Sequence, residues 1–220
     1  MELLTQILDF FLHINAHLAG IFDEYGTLTY SILFLIVFCE TGLVVMPWLP
    51  GDSLLFAAGA LTASTGKLDI YVLIMLLIAA ALTGDNVNYL VGRFLGKKIK
   101  TRESIGFFKR EYIERTESYY EQFGGRTVII ARFIPIIRTM APFVAGAGNM
   151  RYLRYIGFCI GGAMLWVGGL TTLGYQFGNL EIVQKNFELV ILSIIAISLM
   201  PLMHQVWKNL RKKAVGAASV

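Results

Sequence analysis

Long apolar stretches alternate with short polar segments along the whole chain. Four stretches, residues 27–49, 70–91, 153–174 and 187–207, each come near the roughly 20 residues with which a helix crosses about 30 Å of hydrocarbon. Two further apolar stretches, residues 54–63 and 127–140, are too short to span as straight helices. The pattern predicts an all-α polytopic membrane protein in which some helices enter the bilayer without crossing it.

The composition supports this prediction. Of the 220 residues, 56% are apolar and only 15% are charged, which is far from the usual composition of a soluble domain. No Lys or Arg precedes Lys67, so the N-terminus lacks the basic region of a cleaved signal peptide, and we expect it to be retained. Cys39 and Cys159 lie in apolar stretches without partner spacing, which argues against disulfide or CxxC chemistry.

The basic residues are unevenly placed and predict the topology. Eight of the 19 Lys and Arg residues fall within residues 97–126, and four more fall within residues 208–213. Because cytoplasmic loops carry the Lys/Arg excess, we expect residues 97–126 and the C-terminal tail to be cytoplasmic. The charge therefore indicates topology, and nucleic acid is not an expected partner.

The charged segments fall on their expected sides of the membrane only if residues 27–64 and 127–149 form re-entrant hairpins that enter the membrane from opposite faces. The two halves also resemble each other, since an Ala-Gly-Ala triplet at residues 58–60 recurs at 145–147, and the Gly92/Gly96 spacing recurs at Gly174/Gly178. Inverted repeats with broken helices are a transporter architecture. The alternative is chance recurrence among 22 glycines that only pack helices.

This interpretation divides a single membrane domain into five segments. They are an N-terminal amphipathic segment (1–26), a first repeat (27–96), a basic cytoplasmic linker (97–126), a second repeat (127–178), and a C-terminal transmembrane helix with a basic tail (179–220). Within the linker, residues 112–123 are predicted to form a charged amphipathic helix on the cytoplasmic membrane surface.

Charged residues lie inside the apolar hairpins. Glu40 and Asp52 belong to the first hairpin, and Arg132 and Arg138 belong to the second. Proline and glycine positions that predict breaks, turns or hinges in these hairpins are Pro47, Pro50, Gly51, Pro135 and Pro142. Four unpaired charges at the centre of a bilayer would cost about 10 kcal/mol, so we expect them to be paired or to face a wet cavity. The acidic tip of one hairpin is therefore expected to meet the basic tip of the other.

Two interpretations of these charges stay open. They could be structural salt bridges that hold the hairpins together, or they could work in transport. In the second case a buried carboxylate exchanges protons, and paired arginines offer the bidentate fork that suits phosphate. Asp85 extends the proton-coupling set, because Asn88 and Tyr89 share its helix face and could hydrate the cavity, although a structural polar contact explains them equally well.

Other chemistry has little support in the sequence. His13 and His17 have an i, i+4 spacing that can ligate a metal, but no HExxH pattern accompanies them, and we expect neither metal nor cofactor. Trp48, Trp166 and Trp207 are interpreted as packing or interfacial residues. We expect no enzyme, because no phosphatase-like histidine cluster, P-loop or nucleophile elbow is present.

Several strings resemble the bacterial DedA family, part of the superfamily also called SNARE-associated or VTT-domain proteins. They are ETG at 40–42, PWLPGDSLL at 47–55, GDNVNYLVGR at 84–93 and ARFIPIIRTMAPFVAG at 131–146. The resemblance implies an inner-membrane protein needed for envelope integrity. It also implies transport driven by the proton motive force, notably of undecaprenyl phosphate, with Glu40 and Asp52 as the functional acidic pair and Arg132 and Arg138 as the functional arginines.

The expected partners are therefore protons and membrane lipids, either a phospholipid or a polyprenyl phosphate, and the sequence leaves open a homo-oligomer. Two other functions remain alternatives at this point. One is proton-coupled antiport of small ions or amphipathic cations, which the two carboxylates alone could support. The other is a structural membrane protein whose loss disturbs the envelope indirectly.

Overall fold

The computed structural model describes residues 20, 24–42, 51–99, 104–105, 108–181, 183, 186, 189–190 and 192–194. The helices are α1 (Thr29–Gly42), α2 (Gly51–Thr65), α3 (Ile70–Ile99), α4 (Arg110–Phe123), α5 (Thr127–Ala131), α6 (Pro135–Ala147), α7 (Tyr152–Ala163) and α8 (Gly169–Phe177). A π-helical turn, Met164–Gly168, joins α7 to α8. Two strands, β1 (Ser104–Ile105) and β2 (Phe108–Lys109), pair as an antiparallel ladder.

The predicted all-α architecture is confirmed, and the two short strands are a local feature of it. Each strand has only two residues, and both lie in the predicted linker 97–126. Helix α3 also runs to Ile99, three residues into that linker. The helical periodicity of the apolar stretches does not extend into this polar segment, which leaves room for a local turn that the pattern does not reveal.

Among the described residues, two helical stretches are long and apolar enough to cross a membrane, Ile70–Leu95 and Tyr152–Phe177, each of 26 residues. They match the predicted spans 70–91 and 153–174. The predicted span 27–49 is described as helix only up to Gly42, and most of the predicted span 187–207 lies outside the described residues, as do most of segment 1–26 and the basic tail.

The helices α1, α2 and α6 are shorter than a span, with 14, 15 and 13 residues respectively. At 1.5 Å per residue each is about 20 Å long, less than the roughly 30 Å of a hydrocarbon core. Helix α6 is separated from α5 by a turn at residues 132–134 and begins at Pro135, where the missing N–H and fixed φ suit a first helical position.

The short helices pack against the long ones, and glycines permit the closest approaches. Helix α6 packs on α3, α2 packs on α8, and α1 packs on α3. A Cβ at four glycines would meet a carbonyl oxygen of the partner helix: Thr171 O at Gly59, Phe56 O at Gly174, Tyr89 O at Gly146 and Phe143 O at Gly92. Small residues at these crossings let the backbones touch, as in other helix pairs within membranes.

Helix α4 is amphipathic, as predicted, and it also packs against other helices. The Tyr120 hydroxyl donates to the carbonyl of Ala141 in α6 at 2.9 Å, and Thr127 Oγ1 donates to the carbonyl of Tyr119 at 2.7 Å. Burial raises the pKa of Tyr120, so its hydroxyl keeps the proton that it donates. These contacts fix α4 against α6, the helix that carries Arg138, and against the start of α5.

Candidate functional site

Three charged residues from three helices form a charged triad: Glu40, Asp52 and Arg138. Arg138 lies in the first turns of α6 and donates through Nη1 to Asp52 Oδ1 at 2.9 Å and through Nη2 to Glu40 Oε1. The exposed fractions of the side chains are 1% for Glu40, 6% for Arg138 and 18% for Asp52. One guanidinium fork therefore holds a carboxylate from the end of α1 and another from the start of α2.

Gly51 leaves the space that the Glu40 carboxylate occupies. A Cβ built on Gly51 would collide with both carboxylate oxygens of Glu40. Gly51 is not among the described residues with positive φ, so its backbone conformation does not require glycine. Its importance is that it has no side chain to fill this space. The sequence predicted Gly51 as part of a turn, whereas the structure makes it the first residue of α2, with Asp52 in the first helical turn. A carboxylate there also interacts favourably with the helix dipole.

Asp85 and Arg132 form a second unit, the charged pair. Arg132 lies in the turn between α5 and α6, and its Nη2 donates to Asp85 Oδ2. The same oxygen accepts from Cys159 Sγ at 3.0 Å, and the backbone carbonyl of Asp85 accepts from the Tyr155 hydroxyl at 3.0 Å. The two charged side chains are only 3% and 4% exposed, so Asp85 is held by the second half of the chain.

Trp166 lies between the charged triad and the charged pair. Its Nε1–H donates to Asp52 Oδ1 at 2.8 Å. Its ring lies under both guanidinium groups, with the ring centroid 4.7 Å from Arg138 Cζ and 5.7 Å from Arg132 Cζ. Both separations are within the roughly 6 Å over which a cation is attracted to an indole face.

One face of the helix that contains Trp166 lines this site. Tyr155, Cys159, Gly162 and Trp166 follow one another at steps of four, three and four residues, so they share a helix face. A Cβ at Gly162 would meet Arg132 Nε at 3.0 Å, so the absence of a side chain lets the guanidinium lie against the helix. Trp166 belongs to the π-helical turn, a feature often found at functional sites.

The charges of the site do not balance. Three carboxylates face two guanidinium groups in the described contacts. Some buried polar atoms also have no hydrogen-bond partner among the described residues: Glu40 Oε2, Arg132 Nε and Nη1, and Arg138 Nε. A buried polar atom left unpaired costs about 1–3 kcal/mol, and more when it is charged. This arrangement can bind a proton at the carboxylates or an oxyanion at the guanidinium groups.

The structure brings together all five charged residues that the sequence singled out. Of the predicted hinge prolines, Pro47 and Pro50 lie outside the described residues, and Pro135 starts α6 after the predicted break. Pro142 is inside α6, which continues through it, so no break occurs there.

The polar neighbours of Asp85 have structural partners. Asn88 Nδ2 donates to the carbonyl of Thr139 at 2.6 Å, and the Tyr89 hydroxyl donates to the carbonyl of Met150 at 2.6 Å. These two hydrogen bonds hold α3 against the second half of the chain. Asn88 and Tyr89 therefore make the structural polar contact that the sequence left open as the alternative to hydrating a cavity.

Sequence reasoning missed the contribution of the helix that follows Asn149. The sequence indicates a packing or interfacial role for Trp166 and no partner for Cys159, yet both contact the charged residues. The residue types alone do not indicate these contacts, because Trp and Cys are commonly buried as apolar side chains. The usable signal was the shared helix face of Tyr155, Cys159, Gly162 and Trp166.

These features define the class of the protein: a helical membrane protein with a buried cluster of opposite charges between its short and long helices. Comparison with known proteins then identifies the family. The VTT domain matches residues 49–176. Protein DedA of Escherichia coli K12 is 47% identical over 218 residues, covering 99% of this chain and 100% of the relative. The chain belongs to the DedA family of VTT-domain membrane proteins, as the sequence motifs predicted.

More distant relatives agree. An uncharacterized membrane protein of Mycobacterium leprae is 42% identical, with 84% of this chain and 82% of the relative covered. Inner membrane protein YqjA of Escherichia coli K12 is 35% identical, with 84% and 83% covered. No solved structure shows a significant match.

Proposed function

We propose that this protein is a transporter that uses the proton motive force to translocate a phosphate-bearing lipid, such as undecaprenyl phosphate, and so supports envelope integrity. The observation that carries the proposal is that, in the described contacts, buried Glu40 shares the guanidinium of Arg138 with a second, partly exposed carboxylate, Asp52, so that three carboxylates face two guanidinium groups. An uncompensated buried charge costs several kcal/mol, so binding one proton stabilises the cluster. Glu40 is the favoured acceptor, since its Oε2 has no hydrogen-bond partner among the described residues.

Protonation of Glu40 has a direct consequence for Arg138. A neutral carboxyl group attracts the guanidinium less strongly, so Nη2 becomes available to another oxyanion. Arg132 already has two N–H groups without partners in the described part of the chain. Phosphate is the natural ligand for two neighbouring guanidinium groups, because its oxygens accept parallel hydrogen bonds from the planar fork. Proton uptake and phosphate binding are thereby linked in one cluster.

The arrangement of the two halves supports an inverted repeat with two re-entrant hairpins. A shift of 87 positions takes Phe56 and Gly59 to Phe143 and Gly146, and a shift of 82 takes Tyr89 and Gly92 to Thr171 and Gly174. Under these shifts the close contacts of α2 with α8 become those of α6 with α3. Both halves also begin with a 3₁₀ turn whose first glycine has positive φ, Gly26 and Gly124.

This repeat supports a transport mechanism. The short helices α1, α2 and α6 and the α5–α6 turn bring the charged side chains to mid-membrane, where alternating exposure would move the site from one face to the other. In this topology the basic linker 97–126 and the C-terminal tail face the cytoplasm.

The proposal is tested by translocation of a fluorescent polyprenyl phosphate in proteoliposomes, with and without a pH gradient. We expect the gradient to accelerate the wild type and to have no effect on Glu40→Gln. Glu24→Gln, which removes an exposed carboxylate, is the matched control and should behave like the wild type. Equal rates for wild type and Glu40→Gln under both conditions would rule out proton coupling through Glu40.

A second candidate function is proton-coupled antiport of small or amphipathic cations. The excess negative charge of the site favours it, because a cation could neutralise the third carboxylate in place of a proton. The two candidates differ in their need for arginine. Antiport that survives in Arg132→Gln, measured with a pH-sensitive dye, together with no lipid movement by the wild type, would favour the cation.

We also propose that the protein moves its lipid without chemical change. Incubation of the purified protein with the polyprenyl phosphate tests this, since release of inorganic phosphate would indicate a lipid phosphatase instead. A purely structural role is tested in cells. Full complementation of a deletion strain by a variant with Glu40, Asp52, Arg132 and Arg138 all neutralised would support that role and contradict transport.

A further inference from the structure

Trp166 contacts both charged units of the site, although its side chain carries no charge. It is 1% exposed and lies on the π-helical turn between α7 and α8. Its N–H and Arg138 Nη1 donate to the same oxygen, Asp52 Oδ1, at 2.8 and 2.9 Å. The Trp166 side chain thus donates to the same oxygen as Arg138, and its ring face contacts the guanidinium groups of both arginines.

These contacts make the position of Trp166 dependent on the charged triad. When Arg138 turns away from its carboxylates, Asp52 loses a donor and the indole loses a cation from its face. Each contact has a definite geometry, because the N–H must point at the carboxylate oxygen and the cation must lie over the ring. The ring therefore shifts when the triad rearranges.

The same ring position affects Arg132. The guanidinium of Arg132 lies between the indole of Trp166 and the backbone at Gly162, where a Cβ would come within 3.0 Å of Nε. A shift of the ring changes the space and the attraction on one side of this guanidinium. Trp166 also belongs to a π-helical turn, a feature that is frequent at functional sites.

We propose that Trp166 is a positioning residue that links the charged triad to the charged pair, so that a change of charge at Glu40 alters the position of Arg132. The proposal rests on the proposed function for its biological meaning: proton binding at Glu40, the partner of Arg138, would prepare Arg132 to receive phosphate. Trp166 itself touches neither the proton nor, in this account, the phosphate.

The first test does not require a transported substrate. Trp166 is made the sole tryptophan of the full-length protein with Trp48→Phe and Trp207→Phe, and its fluorescence emission is recorded in detergent. Indole emission responds to nearby charge. We expect both Glu40→Gln and Asp85→Asn to shift the emission maximum, although they belong to different units. Asp69→Asn, at the exposed start of α3, is the matched control and should cause no shift. A shift with only one of the first two variants, or with neither, overturns the proposal.

The second test separates the two kinds of contact in proteoliposomes that contain a fluorescent polyprenyl phosphate. Trp166→Phe keeps an aromatic face but lacks the N–H, and we expect translocation to slow roughly tenfold, as for loss of a hydrogen bond to a charged group. Trp166→Leu loses both contacts, and we expect about a further tenfold loss. Equal rates for the two variants, with thermal stabilities equal to the wild type, would contradict the role of the ring.

The two tests distinguish failure of this inference from failure of the proposed function. If the wild type translocates no lipid but both charge variants shift the emission of Trp166, the linkage stands and the transport proposal fails. If translocation depends on Glu40 as proposed but the emission stays constant, the linkage through Trp166 is wrong.

Discussion

Replacing Arg138 with Met is expected to destabilise the protein strongly. The substitution preserves much of the volume of the side chain but leaves Glu40 and Asp52 without their shared cation, and Glu40 is 1% exposed. Removing one partner of a buried ion pair costs about 3–5 kcal/mol. For a chain of this size each kcal/mol corresponds to roughly 2–4 °C in Tm, so we expect Tm to fall by about 6–20 °C.

The assay is thermal unfolding of the purified protein in detergent, followed by the loss of the monodisperse peak in size-exclusion chromatography. Arg154→Met, at an exposed position of α7, is the matched control and should change Tm by no more than about 2 °C. Adding Glu40→Gln to Arg138→Met should recover at least half of the loss, because it removes the more deeply buried of the two carboxylates left without a cation. Destabilisation no greater than in the control, or no recovery in the double variant, would refute the reasoning.

Three further predictions concern packing around the site. Gly51→Ala should lower Tm and activity because its Cβ collides with the carboxylate of the charged triad, whereas Gly157→Ala, with nothing within 4 Å, should leave both unchanged or raise Tm slightly. Cys159→Ser should keep near-normal translocation because its hydroxyl can still donate to Asp85, and Cys159→Val should not; equal activities would show that this bond is unimportant. Gly59→Ala should cost about 1–3 kcal/mol in unfolding free energy by forcing α2 away from α8, and an unchanged Tm would contradict the close helix contact.

The sequence predicted much of the site because charges inside apolar stretches are costly and must find partners. Glu40, Asp52, Asp85, Arg132 and Arg138 could be singled out for that reason alone. Their pairing could not be predicted, since which carboxylate meets which arginine depends on how the helices cross. The structure gives Arg138 two carboxylates and gives Arg132 the carboxylate from α3.

The sequence was less informative where a residue type has a common alternative role. The sequence suggests a packing role for Trp166, because that is the usual role of a buried tryptophan. None of its neighbours in the sequence indicates that its N–H donates to a carboxylate. The π-helical turn that orients it, Met164–Gly168, ends at a pair of glycines, but glycine is common in membrane helices and does not by itself indicate a π turn. For a similar reason the sequence suggests that Gly51 is a turn residue, whereas in the structure Gly51 leaves space for the side chain of Glu40.

The central claim is that the charged triad and the charged pair together form the site that binds a lipid phosphate. It is tested most directly by a structure of the protein with a short-chain polyprenyl phosphate, determined at a pH low enough to protonate Glu40. We expect phosphate oxygens within hydrogen-bond distance of both Arg132 and Arg138, with the bond from Arg138 to Glu40 broken. A phosphate bound elsewhere, with both units of the site unchanged, would contradict it.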